Sequence, residues 1–254
     1  MLYYTAAELI QRYKFARWRC ITTMAIDLIN DPEISSYDLS SLQFMSGGGA
    51  SMPEPVARKL KEMTGLDFIE GYGLSETAAP IHVNPVDRPK RQCLGIPLFD
   101  VDARIADIET GTEKGPGEIG EIVVNAPQVF KGYWNDPAGT AAAFMEIDGK
   151  RFFRTGDIGH YDEEGYFFIV DRVKRMINAS GYKVWPNEVE NIMLRHPAIA
   201  EVCVVSAPDA RRGETVRAFV IPARDADPQP ADIIAWCRDN MAAYKCPSEV
   251  VVQA

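Results

Sequence analysis

The segment Glu70-Gly71-Tyr72-Gly73-Leu74-Ser75-Glu76-Thr77 puts an aromatic face, a hydroxyl and a carboxylate into one short, exposed turn after a strand. That set suits a nucleotide with Mg²⁺. The Tyr72 ring would stack on a base, the Ser75 hydroxyl would bond a phosphate oxygen, and the Glu76 carboxylate is a hard oxygen ligand for the cation. The competing reading is a helix N-terminus with Ser75 and Glu76 as cap and first-turn acid. Upstream, Ser46-Gly47-Gly48-Gly49-Ala50 lies between a strand-like Leu42-Gln43-Phe44-Met45 and a helix. Gly48, Gly49 and Ala50 therefore present bare backbone N–H groups where a strand ends, although a tight turn explains the glycines equally well. Downstream, Arg154-Thr155-Gly156-Asp157 offers a carboxylate to both hydroxyls of a ribose, or is simply a turn. Arg172, Lys174 and Arg175 follow Asp171 at a change of sequence pattern, and Ser180-Gly181-Tyr182-Lys183 reads as a turn able to meet a long ligand, or as a plain hairpin.

Three kinds of pattern carry these residues. Thr5-Ala6-Ala7-Glu8 is a capping box before a helix whose face is Leu9, Ile10 and Tyr13, with a strand at Trp18 to Ile21 beyond it. A second helix runs from about Thr23 to Asn30. A third starts at Pro53, carries Val56, Ala57, Leu60 and Met63 as its apolar stripe, and stops at Gly65; a strand at Leu66 to Ile69 follows. Alternation of this kind predicts part of an α/β layer with a parallel sheet. From Gly95 to Asp171 the period is two, with turns rich in Gly and Pro, which predicts a small β-barrel or twisted sheet. After Arg172 a helix at Pro186, strands at Val202 to Val205 and Val216 to Ile221, and a helix carrying Ile233, Trp236, Cys237 and Met241 predict a compact α+β domain.

The composition is that of a globular protein. Its 254 residues are 46% hydrophobic and 25% charged, with Lys+Arg 27 against Asp+Glu 36 and a net charge of −9. Scattered basic residues argue against a nucleic-acid or anionic-membrane partner, and no apolar run is long enough for a transmembrane segment. With no secretory pattern at the N-terminus, a cytoplasmic location is expected. The five cysteines lack Cys-x-x-Cys spacing and read as reduced thiols.

In order, "SGGGASMPEPV", "EGYGLSETAAP", "GEIGEIVV", "KGYWNDPAGTAAAF", "FFRTGDIGHYDEEGYFFIVDRVKRMINASGYKVWPNEVE" and "HPAIAEVCVVSAPDARRGETVRAFV" resemble the adenylate-forming superfamily. The resemblance is nearest to AMP-dependent acyl-CoA synthetases of the medium- and long-chain fatty-acid ligase type. It implies a carboxylic acid as substrate, ATP, Mg²⁺ and coenzyme A as cofactors, an acyl-adenylate intermediate, and a place in fatty acid metabolism. It also implies three parts: residues 1–94 as the end of the α/β subdomain of a large domain, 95–171 as its β-barrel subdomain, and 172–254 as a small mobile α+β domain. Gly48, Gly49 and Ala50 would line the acyl and adenine region, Glu70, Gly71, Tyr72 and Gly73 the adenine site. Ser75, standing where the family more often has Thr, would bind phosphate, and Glu76 would hold the metal. Asp157 would bind the ribose, Arg172 would lie beside ribose and phosphate, Lys174 matches the hinge position, and Gly181 and Tyr182 would meet the pantetheine arm.

The family's upstream Ser/Thr/Gly-rich phosphate loop and its later Gly-Lys have no counterpart here. The expectation is a C-terminal half that by itself adenylates poorly, since loss of one charge-stabilising contact costs roughly 100- to 1,000-fold. An exposed edge on the α/β remnant further implies self-association through residues 1–90. Two rival readings are a non-catalytic fragment that binds nucleotide or coenzyme A, and an adenylating enzyme with a different acceptor.

Overall fold

The computed structural model describes residues 5–49, 52–209, 213–224 and 226–253. The chain divides into two compact units, Met1–Thr155 with Gly159–Ile169, and Gly156–Ile158 with Val170–Ala254.

In the first unit the capping box forms as the sequence dictates, Glu8 N–H donating to Thr5 Oγ1 (3.3 Å) and Thr5 N–H to Glu8 Oε2 (2.6 Å). It opens α1 (Ala6–Tyr13), which is followed by β1 (Arg17–Cys20), α2 (Thr22–Asn30), β2 (Phe44–Gly47), α3 (Glu54–Thr64) and β3 (Phe68–Gly73). The face of α1 turned inward is Ala7 and Ile10, whereas Tyr13, expected on it, is exposed and stacks on Phe15 at the surface. Strands β1, β2 and β3 are parallel neighbours, Arg19 pairing with Ser46 and Ser46 with Ile69. One face of this sheet is covered by the helices through Ile10, Trp18, Leu28, Met45 and Leu60. The burial of β1 alternates, so Trp18 and Cys20 point to that core while Arg17 and Arg19 stand on the other side.

The sheet is not purely parallel as expected. Strands β4 (Pro80–Val83) and β5 (Ile96–Pro97) extend it in antiparallel fashion beyond β3. They are four and two residues long and contain prolines, so they carry too little periodicity to be read from sequence. The Glu70–Gly73 segment, expected in an exposed turn, belongs instead to β3, with Glu70 and Tyr72 buried. Its pairing to β4 supplies the backbone partners that make those glycines strand residues.

A second sheet follows in the order β10-β9-β7-β6, where β6 is Asp102–Ala106, β7 Gly120–Asn125, β8 Phe144–Ile147, β9 Lys150–Tyr161 and β10 Phe167–Arg172; β8 adds to β9. The period-two region between 95 and 171 thus forms a sheet, with a short helix α4 (Pro137–Ala142) inserted before β8. The Arg154–Asp157 segment is part of strand β9 and not a turn, because its neighbours pair along both edges. Tyr72, Ile81, Ile105, Ile122, Phe153 and Phe167 form the core of this half of the unit.

The second unit holds β11 (Ile177–Ala179), β12 (Tyr182–Val184), α5 (Pro186–Met193), β13 (Ile199–Asp209), β14 (Gly213–Pro222), α6 (Pro230–Asn240) and β15 (Glu249–Val252). The sheet order is β12-β11-β14-β13, with β15 parallel to β14. Val189 and Met193 of α5 and Ile233 and Cys237 of α6 meet Val204, Val216, Ala218 and Val220 in one core. No helix of the described residues is long and apolar enough to cross a membrane. Among the described residues Cys20, Cys93, Cys237 and Cys246 are buried and Cys203 is exposed.

Candidate nucleotide and acyl site

Parallel strands end on one side, and the loops beyond their carboxyl ends are where an α/β sheet leaves room for a ligand. A cavity of about 580 Å³ lies there, lined by Cys20 and Ile21 at the end of β1, Gly47 to Gly49 at the end of β2, and Gly71 to Leu74 at the end of β3. Five of the residues expected to bind, Gly48, Gly49, Gly71, Tyr72 and Gly73, line this one cavity. Its remaining wall is mostly apolar, including Met24, Phe44, Ile69 and Val83, with Arg19 at one side. Ala50, expected beside Gly49, lies outside the described residues.

The glycines do different work. A Cβ on Gly48 would sit 2.4 Å from the carbonyl oxygen of Gly71, so this glycine is set by the approach of β3. Gly49 meets nothing within 4 Å and has φ +86°, so it is a left-handed turn residue open to the cavity. Buried Glu70 on the neighbouring strand accepts the Met52 N–H at Oε1 (2.9 Å). Tyr72 is only 9% exposed, and its ring tilts on that of His82, 5.7 Å away. His82 is fully buried between Tyr72 and Phe167, and neither ring nitrogen has a hydrogen-bond partner among the described residues. Burial pushes its imidazole pKa down to about 3, so it is neutral in the core.

After β3 the chain makes a single 3-10 turn, Ser75–Thr77. Neither Ser75 nor Glu76 caps a helix. Thr77, fully buried, holds the turn by accepting the Leu74 N–H (3.0 Å), and its hydroxyl lies 2.9 Å from the carbonyls of Leu74 and Ala79. Ser75 is left exposed, and the half-buried Glu76 carboxylate accepts the Tyr133 phenol at Oε1 (3.0 Å). No lysine or arginine forms an ion pair with Glu76 among the described residues. Nor do the described residues include a group of three or more His, Cys, Asp or Glu placed to hold a metal. A lone carboxylate free of any cation fits Mg²⁺ carried in on a nucleotide, since this ion takes one or two carboxylates plus phosphate oxygens in place of an all-protein cage.

The other expected residues belong to the second unit. Asp157 is 1% exposed at its side chain and pairs with Arg172 Nε at 2.9 Å. Arg175 pairs with Glu190 (2.7 Å), and Lys174 is exposed on the 3-10 segment Val173–Arg175. Asp171, which the sequence reading left without a role, is buried and accepts the Asn187 N–H at the start of α5 (2.8 Å), a carboxylate set against a helix N-terminus. Ser180 (φ +56°) and Gly181 (φ +87°) form the two-residue turn of the β11–β12 hairpin, and Tyr182 stacks on Tyr244 at 4.7 Å. Sequence reasoning missed Tyr133 and His82. The first stands in the quoted motif "KGYWNDPAGTAAAF" without a role, and the second was an isolated histidine.

The cavity at the ends of β1–β3, with its glycine loop and Tyr72, stands where an α/β sheet takes a ligand, while Ser75 and Glu76 are not among the residues that line it. Residues 3–134 match the family model of the AMP-binding enzymes, and residues 188–254 that of the AMP-binding enzyme C-terminal domain. The chain belongs to the AMP-binding enzyme family. It is 42% identical over 241 residues to a long-chain-fatty-acid–CoA ligase of Bacillus subtilis (strain 168), covering 94% of this chain and 42% of that protein. It is 38% identical over 234 residues to a feruloyl-CoA synthase of an Amycolatopsis species, covering 91% and 46%. ATP-bound MatB from Rhodopseudomonas palustris matches it with a TM-score of 0.85 at 32% identity, over 97% of this chain and 48% of that one. The chain thus spans less than half the length of the relatives it matches.

Proposed function

We propose that this chain supplies part of the nucleotide and acyl site of an AMP-forming acid:CoA ligase acting on a medium- or long-chain fatty acid. The observation that carries it is the cavity beyond β1–β3, where the glycine loop and Tyr72 line an apolar recess, with Glu76 in the turn that follows. In the reaction the acid's carboxylate oxygen bonds to the α-phosphorus of ATP and pyrophosphate leaves. The thiol of coenzyme A then attacks the acyl carbon and AMP leaves. Each residue has a part in that scheme. Tyr72 borders the base, the Ser75 hydroxyl donates to a phosphate oxygen, and Glu76 holds Mg²⁺, which neutralises phosphate charge. Gly48, Gly49 and the apolar wall receive the acid. Asp157, oriented by Arg172, accepts the ribose hydroxyls; Lys174 serves as the hinge, and Gly181 and Tyr182 border the pantetheine arm. On this reading residues 1–94, 95–171 and 172–254 act as the α/β part, the β-barrel and the mobile small domain, and the protein works in the cytoplasm, where ATP and coenzyme A are available.

The test is acid-dependent ATP–pyrophosphate exchange with carboxylates from acetate to palmitate. It is run on the chain alone and on the chain fused behind the N-terminal half of the Bacillus subtilis ligase. Exchange by the fusion that rises with acyl length supports the proposal. Silence from the fusion, with nucleotide or coenzyme A still bound, favours the non-catalytic reading; transfer to an acceptor other than coenzyme A would change the class.

A further inference from the structure

The environment of Glu76 contains a residue whose geometry has no purpose in packing alone. The Tyr133 hydroxyl reaches Glu76 Oε1 at 3.0 Å across 57 positions of sequence. The contact is doubled at the backbone, where the Phe130 N–H donates to the Glu76 carbonyl at 2.7 Å. The loop carrying Tyr133 is itself fixed. Its N–H donates to Thr140 Oγ1 (2.9 Å), whose hydroxyl donates to the Asp136 carbonyl (2.7 Å), and Asp136 caps α4 by accepting the Gly139 N–H (2.7 Å). Phe130 meets the Tyr133 ring edge-on at 4.8 Å and anchors the loop on Phe153 at 5.4 Å.

We propose that Tyr133 is a positioning residue for Glu76: its phenolic proton occupies one carboxylate oxygen and fixes the direction of the other toward the divalent cation of a bound nucleotide. The inference rests on the reading of Glu76 as the metal contact. A carboxylate that ligates a metal is ordinarily held by such an outer hydrogen bond, and losing that bond costs roughly 10- to 100-fold in metal affinity. A purely structural tyrosine would have no need of a phenol aimed at a carboxylate that has no cation beside it, since the ring already packs on Phe130.

The experiment is calorimetric titration of the chain with a non-hydrolysable ATP analogue, in Mg²⁺ and in chelator, for the native sequence, Tyr133→Phe and Glu76→Gln. Tyr133→Phe keeps the ring and removes only the hydroxyl. The expected result is a gain in affinity from Mg²⁺ in the native chain that falls by roughly 10- to 100-fold in Tyr133→Phe. Affinity in chelator and the thermal midpoint should stay where they were. An undiminished Mg²⁺ gain in Tyr133→Phe, with Glu76→Gln losing it, overturns the role of Tyr133 and leaves that of Glu76 standing. A native chain whose affinity ignores Mg²⁺, or a Glu76→Gln variant that keeps the full gain, overturns both, and each result is visible without reference to Tyr133→Phe.

Discussion

His82 shows how a single side chain sets a measurable property without touching a ligand. In the unfolded chain its imidazole takes up a proton below its ordinary pKa of 6.5, whereas in the core it does so only near 3. A depressed folded pKa means stability that is present above pH 6.5 and is lost as pH falls toward 3, at up to about 1.4 kcal/mol per pH unit. His82→Phe keeps a ring against Tyr72 and Phe167 and removes the titration. Urea unfolding should show the variant close to the native chain at pH 7 and more stable by roughly 2–3 kcal/mol near pH 4. Gly48 makes the converse point. A Cβ there meets the Gly71 carbonyl, a backbone atom that cannot swing away, so Gly48→Ala should lower unfolding stability by about 1–3 kcal/mol. The glycine run was visible in the sequence, but which member serves the fold and which faces the cavity depends on where β3 lies.

Elements position the site through a few polar links between strands. Glu121 on β7, its side chain 4% exposed, is met by Arg154 of β9 at 2.7 Å, Arg154 being 34% exposed. Arg154→Met withdraws the guanidinium from a buried carboxylate, which costs about 2–4 kcal/mol in chemical denaturation, less than for a fully buried pair because water reaches the arginine. Replacing Glu121 by Gln in the same chain should recover part of that loss. The capping box of α1, the helices opened by Pro at 53 and 186, and the α3 stop at Gly65 were legible because each depends on neighbours within a few residues. Strands β4, β5 and β15 were not legible, since a two- to four-residue strand is defined by the edge it joins.

At the scale of the molecule each unit has its own core, and that of the second draws on both helices and five strands within residues 177–252. Residues 170–254 expressed separately should therefore fold with one cooperative thermal transition; non-cooperative melting would show that their core is not self-sufficient. The first unit presents exposed Tyr13, Phe15, Ile21 and Met24. We propose self-association through residues 1–90, and sedimentation velocity should give a sedimentation coefficient that rises with concentration; a constant monomer value would overturn this.

Taken by itself, the sequence determined the class of protein. The order and spacing of its motifs, its helix caps and its period-two strands are local properties of the chain, and so were the mixed α/β and α+β architecture and the candidate residues Gly48, Tyr72, Glu76, Asp157 and Arg172. Only the tertiary structure decided how those residues are held. Thr77 and not Ser75 fixes the turn, Tyr133 arrives from 57 positions away to bond Glu76, Asp157 is buried against Arg172, and Tyr72 rests on a neutral His82. The physical reason is that a hydrogen bond between distant side chains leaves no periodic trace in a sequence. Its partners are chosen by which strands lie side by side, and that is settled only when the cores close.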